Sequence, residues 1–221
     1  MLELRAPDLK RFEGRVCEYE QKPIEWGRIL FYGDSSFTFW NKNGIRPLEE
    51  SLRRKDGSSA AINHGFGGAT SEELLYYYPR LVKPWAPRAL VFCDFGNDDR
   101  LNYSAAEIMF LQARIFAYAR KDMPGIRMFL CDRRPVGKQQ SRATNAKILE
   151  YQELLQEYCA KHDDCTFVSH AKYAPFFDEE GGADNYPIGR KELYLDDDIH
   201  FNQAGYDVYT EFFRQALDEI L

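Results

Sequence analysis

Short, almost continuous apolar runs alternate along the chain with longer stretches in which apolar residues recur every three to four positions. Arg28-Ile29-Leu30-Phe31-Tyr32-Gly33 is a compact apolar run closed by glycine, and it predicts a buried strand. Residues 60–63, 88–95, 126–131 and 165–169 complete a set of five. Hydrophobicity within these runs is continuous rather than alternating, as in parallel strands covered on both faces. Helical periodicity predicts helices over residues 104–120, 141–161 and 205–221. Their stripes are Ile108, Leu111, Ile115 and Tyr118; then Ile148, Tyr151, Leu155 and Tyr158; then Tyr209, Phe212, Phe213, Ala216, Leu217 and Ile220.

This alternation implies an α/β fold, a parallel sheet with helices on both sides. Residues 176–190, with Gly181, Gly182, Pro187 and Gly189, read as an irregular loop within one domain rather than a linker. In open sheets of this kind ligands bind beyond the carboxyl ends of the strands, near the point where strand order reverses. Chemistry is therefore expected just after the strands and just before the last helix.

Composition narrows the partners. The 221 residues are 44% hydrophobic and 29% charged, which excludes disorder as the main state. A net charge of −6 argues against a nucleic-acid or anionic-membrane binder. No run is long enough to span a membrane, and the first residues have no apolar signal region. The five cysteines, Cys17, Cys93, Cys131, Cys159 and Cys165, include no CxxC pair and suggest neither a disulfide framework nor a zinc site. A reducing, cytoplasmic setting is expected. Oligomeric state leaves no mark in the sequence.

Four short segments fall where the strand-end rule looks. Gly33-Asp34-Ser35-Ser36 follows the first strand; Ser35 there is either a nucleophile beside backbone N–H groups or part of a helix cap. Asn63-His64-Gly65-Phe66-Gly67-Gly68-Ala69-Thr70 follows the second, and its glycines allow either close approach to a ligand or a tight turn. It matches no nucleotide-binding motif. Gly96-Asn97-Asp98-Asp99 follows the third, where Asn97 offers an amide donor or a turn. Asp196-Asp197-Asp198-Ile199-His200 precedes the last helix. An Asp three residues before a His can fold back onto the imidazole and set its tautomer. A solvated acidic turn or a divalent-cation site are the competing readings of that segment. His162 and His170 flank the fifth strand and read as surface or structural.

Taken in order, these residues resemble the SGNH subgroup of the GDSL esterase/lipase superfamily, whose four blocks carry Ser, Gly, Asn and His. Gly33-Asp34-Ser35-Ser36 looks like the first block, with Ser36 where Leu is usual. Gly68 matches the second-block glycine, and Asn97-Asp98 the third block, with Phe95 where the block begins with Gly. Asp197-Asp198-Ile199-His200 matches the final Asp-x-x-His. The resemblance begins near Trp26, so residues 1–25 read as an N-terminal extension and residues 26–221 as one catalytic domain.

The resemblance implies a three-layer α/β/α, flavodoxin-like fold around a mostly parallel five-stranded sheet. It also implies ester hydrolysis through an acyl-enzyme, with neither metal nor organic cofactor. Ser35 would be the nucleophile, His200 the base and Asp197 its orienting partner, with Ser35, Gly68 and Asn97 forming the oxyanion hole. Asp34, Phe37 and Phe66 are candidate substrate contacts, and Phe39, Trp40 and Tyr103 lie near them in sequence; core packing is the alternative for the aromatics. Short acyl groups are expected, with acetyl esters of carbohydrates, thioesters or lysophospholipids as substrates. Two other readings stand beside this one: a ligand-binding pseudoenzyme on the same fold, and a metal-dependent phosphohydrolase using Asp34, Asp98 and Asp196–Asp198.

Overall fold

The computed structural model of the chain describes residues 3–177 and 186–221. Residues 178–185, the middle of the segment expected as an irregular loop, lie outside the described residues. In chain order the main elements are α1 (Glu13–Glu20), β1 (Ile29–Gly33), α2 (Ser35–Thr38), α3 (Leu48–Ser51), β2 (Ala61–Gly65), α4 (Ser71–Leu81) and β3 (Ala89–Cys93). There follow α5 (Gly96–Arg100), α6 (Ala105–Asp122), β4 (Arg127–Cys131), α7 (Arg142–Ala160), β5 (Cys165–Val168) and α8 (Gln203–Ala216). All five expected strands are present, every neighbouring pair is parallel, and the order is β2-β1-β3-β4-β5.

Strand residues alternate between two cores, which explains their continuous hydrophobicity. Leu30, Tyr32, Leu90, Phe92, Met128 and Leu130 face one cluster, which is closed by residues of α1, α4, α6 and α7. Ile29, Phe31, Ala89, Val91, Phe129 and Cys131 face the other, which is closed by α2, α3 and α8. The aromatic richness is spent largely in this second layer. Phe31 packs on Phe213 at 4.9 Å and Trp40 stacks on Tyr209 at 5.0 Å. Among the described residues no helix is long and apolar enough to cross a membrane. All five cysteines are free.

Two of the longer helices, α1 and α4, have no counterpart in the periodicity, nor do the short helices α2, α3 and α5. In α4, Pro79 and three consecutive tyrosines blur the stripe, but the start carries a capping box: the Glu73 carboxylate accepts from the Thr70 N–H at 2.9 Å. The other, α1, lies in the stretch expected as an extension. Its Val16 and Tyr19 are buried in the first core cluster, and the Tyr19 hydroxyl donates to the Gly65 carbonyl at 2.5 Å. Arg80 of α4 reaches Glu13 at 2.7 Å and Glu20 at 2.6 Å. Helix α1 therefore packs against the first core cluster.

Two features fix the carboxyl ends of the central strands. Gly33 pairs with Cys93 across β1 and β3 so closely that a Cβ at Gly33 would sit 2.0 Å from the Cys93 carbonyl oxygen. Beneath α5, a buried network joins β3, α4, α6 and α7. Ser71 Oγ lies 3.0 Å from a carboxyl oxygen of both Asp94 and Asp98; Gln112 donates to Ser71 Oγ at 3.1 Å and to the Asp94 carbonyl at 2.9 Å; Tyr151 donates to Gln112 at 2.7 Å. Ser71 has one hydroxyl proton for two carboxyl groups, so the pair must hold a proton of its own. Burial, with each carboxylate repelling the other, pushes Asp94 well above the usual carboxylate range. Burial likewise pushes Asp98 to about 6, against the lowering effect of its hydrogen bonds to Asp94 and Ser71.

Two outcomes follow. Gly33→Ala should lose about 3 kcal/mol or more of unfolding free energy, measured by urea denaturation, because the new methyl overlaps backbone that cannot move without separating β1 from β3. An unchanged midpoint would contradict the close approach. The acidic pair makes the fold bind more protons than the unfolded chain, so its contribution to stability is full below about pH 4 and is lost as pH rises through 6 and beyond. Asp94→Asn, which supplies a permanent neutral donor, should flatten stability between pH 4 and 7; parallel profiles for the two proteins would count against a shared proton.

Candidate active site

Strand order reverses between β1 and β3, and a cleft lies beyond their carboxyl ends. It is a cavity of about 270 Å³ lined by residues of all four anticipated segments, namely Asp34, Ser35 and Ser36; Gly67 and Gly68; Gly96 and Asn97; Ile199 and His200. Ser35 opens α2 directly after the strand. The Asp34 carboxylate accepts from the Ser36 N–H at 2.8 Å and so caps this turn, while the Asp34 carbonyl takes the Thr38 N–H at 3.3 Å. Asp34 thus lines the cleft and also holds the turn that presents Ser35.

Gly68 has φ +86°, a conformation that favours glycine. Its carbonyl is turned away from the cleft and accepts from Arg11 at 2.6 Å, while the Arg11 guanidinium is also paired with Glu73. Asn97 donates one amide hydrogen to the Ala69 carbonyl at 2.8 Å, linking the second and third blocks. Asp98, the next residue, accepts from the Ser71 N–H at 3.1 Å, so the buried acidic pair fixes the turn from which Asn97 projects. Among the described residues neither the Ser35 nor the Gly68 N–H donates to another protein group.

The last segment folds as its spacing requires. Asp197 Oδ1 accepts from the N–H groups of Ile199 and His200, both at 2.9 Å, and Oδ2 lies 2.5 Å from His200 Nδ1. Partial burial raises the Asp197 carboxyl, but these three hydrogen bonds outweigh it and hold the group down at about 2. With Nδ1 engaged, Nε2 is the nitrogen left for chemistry in the cleft. Phe39 stacks flat on the imidazole, centroids 3.7 Å apart and planes 9° apart, and fixes its tilt.

Other expectations resolve differently. Phe37 and Phe66, read as candidate substrate contacts, do not line the cleft. Phe37 is sealed against Phe31 and Phe213 at the turn below Ser35, and Phe66 against Phe12 and Tyr77 under the glycine loop. Both follow strands whose ends point their side chains into a core. Trp40 and Tyr103 are buried too, leaving Phe39 as the aromatic of that group in the cleft. His64 lies on β2 between Tyr19 and Trp85, with Nδ1 2.8 Å from the Leu81 carbonyl; burial pulls it to about 4. His170 is buried against Asp132 and Tyr209. Among the described residues no three His, Cys, Asp or Glu side chains gather as a metal site. The sequence reading did not include Arg133, Arg134 and Val136 after β4, or Lys42 and Arg100, all of which line the cleft. The first three lie beyond the carboxyl end of the fourth strand, where the same strand-end rule would have pointed.

Known proteins share this fold. No curated protein matches the chain. Among solved structures, a GDSL-like lipase from Bacteroides thetaiotaomicron is 20% identical, with 97% of this chain and 100% of that one covered and a TM-score of 0.70. An acetyl xylan esterase, AlAXEase, is 18% identical over 86% of this chain and 99% of its own, also with a TM-score of 0.70. TesA is 18% identical over 89% and 100%, with a TM-score of 0.66. These neighbours share the α/β architecture described above. The model of the GDSL-like Lipase/Acylhydrolase family matches residues 31–208, which contain all four blocks, and the chain belongs to that family.

Proposed function

We propose that this protein is a serine esterase that cleaves small carboxylic esters through an acyl-enzyme. The observation that carries the reading is the Asp197–His200 pair. A carboxylate held ionised by three hydrogen bonds engages His200 Nδ1 and leaves Nε2 for proton transfer, in a cleft that also contains Ser35. Ionised Asp197 stabilises the imidazolium once His200 takes a proton.

In the proposed cycle His200 Nε2 removes the Ser35 hydroxyl proton as Oγ attacks the ester carbonyl. The resulting oxyanion is met by the free N–H groups of Ser35 and Gly68 and by the second amide hydrogen of Asn97. The proton on His200 passes to the departing alcohol, and the acyl group remains on Ser35. Water then enters, loses its proton to His200, and releases the carboxylic acid while Ser35 regains its proton. Asp34 and Phe39 act one step removed, holding the Ser35 turn and the His200 ring respectively.

Short acyl groups are part of the proposal; the cleft has a volume of about 270 Å³. The similarity to an acetyl xylan esterase adds weight to acetyl esters of carbohydrates.

The test is hydrolysis of 4-nitrophenyl acetate, butyrate and octanoate. The wild type should prefer acetate. Ser35→Ala should lose on the order of 10⁴-fold or more in kcat. Asn97→Ala should lose on the order of 10²–10³-fold in kcat with KM little changed, since its amide serves the transition state. Wild-type activity retained by Ser35→Ala would overturn the assignment.

A further inference from the structure

Charge in the cleft runs against the charge of the protein. The chain carries a net −6, yet the cleft wall holds four cationic side chains, Lys42, Arg100, Arg133 and Arg134, against the single carboxylate of Asp34. That carboxylate is already engaged with the Ser36 N–H. Among the described residues no Asp or Glu lies within ion-pair distance of any of the four.

The two arginines after β4 are the built part of this wall. Arg134 is 6% exposed, yet among the described residues its Nε and Nη1 have no hydrogen-bond partner. Only Nη2 is engaged, donating to the Ile199 carbonyl at 2.6 Å next to His200, while the guanidinium lies 3.9 Å over the Phe201 ring. A buried cation with unsatisfied donors is expensive unless an opposite charge approaches it. Arg133, partly exposed, reaches along the same wall, with Nη1 donating to Gln140 at 3.0 Å and its other donors without a partner among the described residues. It passes beside Gly96, where a Cβ would come within 3.7 Å of its Nη2, one residue from Asn97. Lys42 and Arg100 are exposed at the rim, placed to attract an anion from solution.

We propose that the cleft selects esters that also carry an anionic group, a carboxylate or another oxyanion, which Arg133 binds directly while the buried charge of Arg134 stabilises it from behind. The proposal rests on the esterase reading and names the substrate class of the same cleft. It makes Arg133 a specificity-determining residue. Burial pulls the Arg133 guanidinium below its ordinary value, the expected response of a cation that lacks its counter-charge.

The experiment compares anionic esters with neutral isosteres. One pair, 4-acetoxybenzoate and its methyl ester, puts the carboxylate on the alcohol side. The other, 4-nitrophenyl hemisuccinate and 4-nitrophenyl methyl succinate, puts it on the acyl side. In at least one pair the wild type should favour the anion by about 10- to 100-fold in kcat/KM, mostly through KM, with the preference shrinking at high salt. Arg133→Gln should abolish that preference, and Arg133→Lys should retain part of it. Equal rates within both pairs, or an equal loss on anionic and neutral esters in Arg133→Gln, would overturn the proposal while leaving the esterase reading intact. If no ester is hydrolysed, the esterase reading fails first, and binding decides the anion site. Calorimetric titration of Ser35→Ala with 4-acetoxybenzoate should show binding that the added Arg133→Gln substitution removes; absence of binding would refute the site.

Discussion

The functional arrangement depends on one constraint, the close approach of β1 and β3 at the point where the sheet reverses its order. Successive connections leave β1 in opposite directions, so the chain segments above Gly33 and Cys93 diverge and leave a crevice between them. Only a residue without a Cβ lets the two backbones close at Gly33. Everything in the cleft is measured from that seam: Ser35 stands two residues past Gly33, and Asn97 four past Cys93. The glycine loop follows β2, whose Gly65 faces Gly33 in register. His200 is brought in from the far end of the chain by α8, with the Tyr206 hydroxyl donating to the Ser36 carbonyl at 2.9 Å.

Around the seam, each proposed catalytic group is held in place by a neighbouring side chain. Asp34 holds the Ser35 turn, Asp98 and Ser71 hold the Asn97 turn, and Asp197 with Phe39 holds the imidazole. The Gly68 loop is held from outside the family's matched region. Arg11 binds the Gly68 carbonyl and Tyr19 the Gly65 carbonyl, so the N-terminal segment acts as a buttress for the glycine loop. The acidic pair under Asn97 is costly to bury, and its place between four elements makes the third-block turn part of the core rather than a free loop.

Much of this was legible in the sequence because the relevant signals are local. Continuous apolar runs marked all five strands, and the Asp197 to His200 spacing already implied a carboxylate folded back on an imidazole. What sequence could not convey was direction. Phe37, Phe39 and Phe66 are alike in composition and context, yet two point into separate cores and one stacks on His200, because each sits at a different angle past its strand. The N-terminal helix lies outside the family resemblance, which begins near Trp26, and its links to the body, from Tyr19 to Gly65 and from Glu13 and Glu20 to Arg80, join positions far apart in sequence. The cationic wall was missed for a related reason: Lys42, Arg100, Arg133 and Arg134 are scattered through a chain of net negative charge, and only the fold gathers them.

The central claim is that Ser35 is a nucleophile activated by His200, and it can be tested without knowing the natural substrate. Incubation with diethyl 4-nitrophenyl phosphate, followed by intact-protein and peptide mass spectrometry, reads out the activated serine directly. The account predicts a single diethylphosphoryl adduct on Ser35, formed far more slowly in His200→Ala. No adduct, an adduct at another residue, or the same rate in His200→Ala would contradict it.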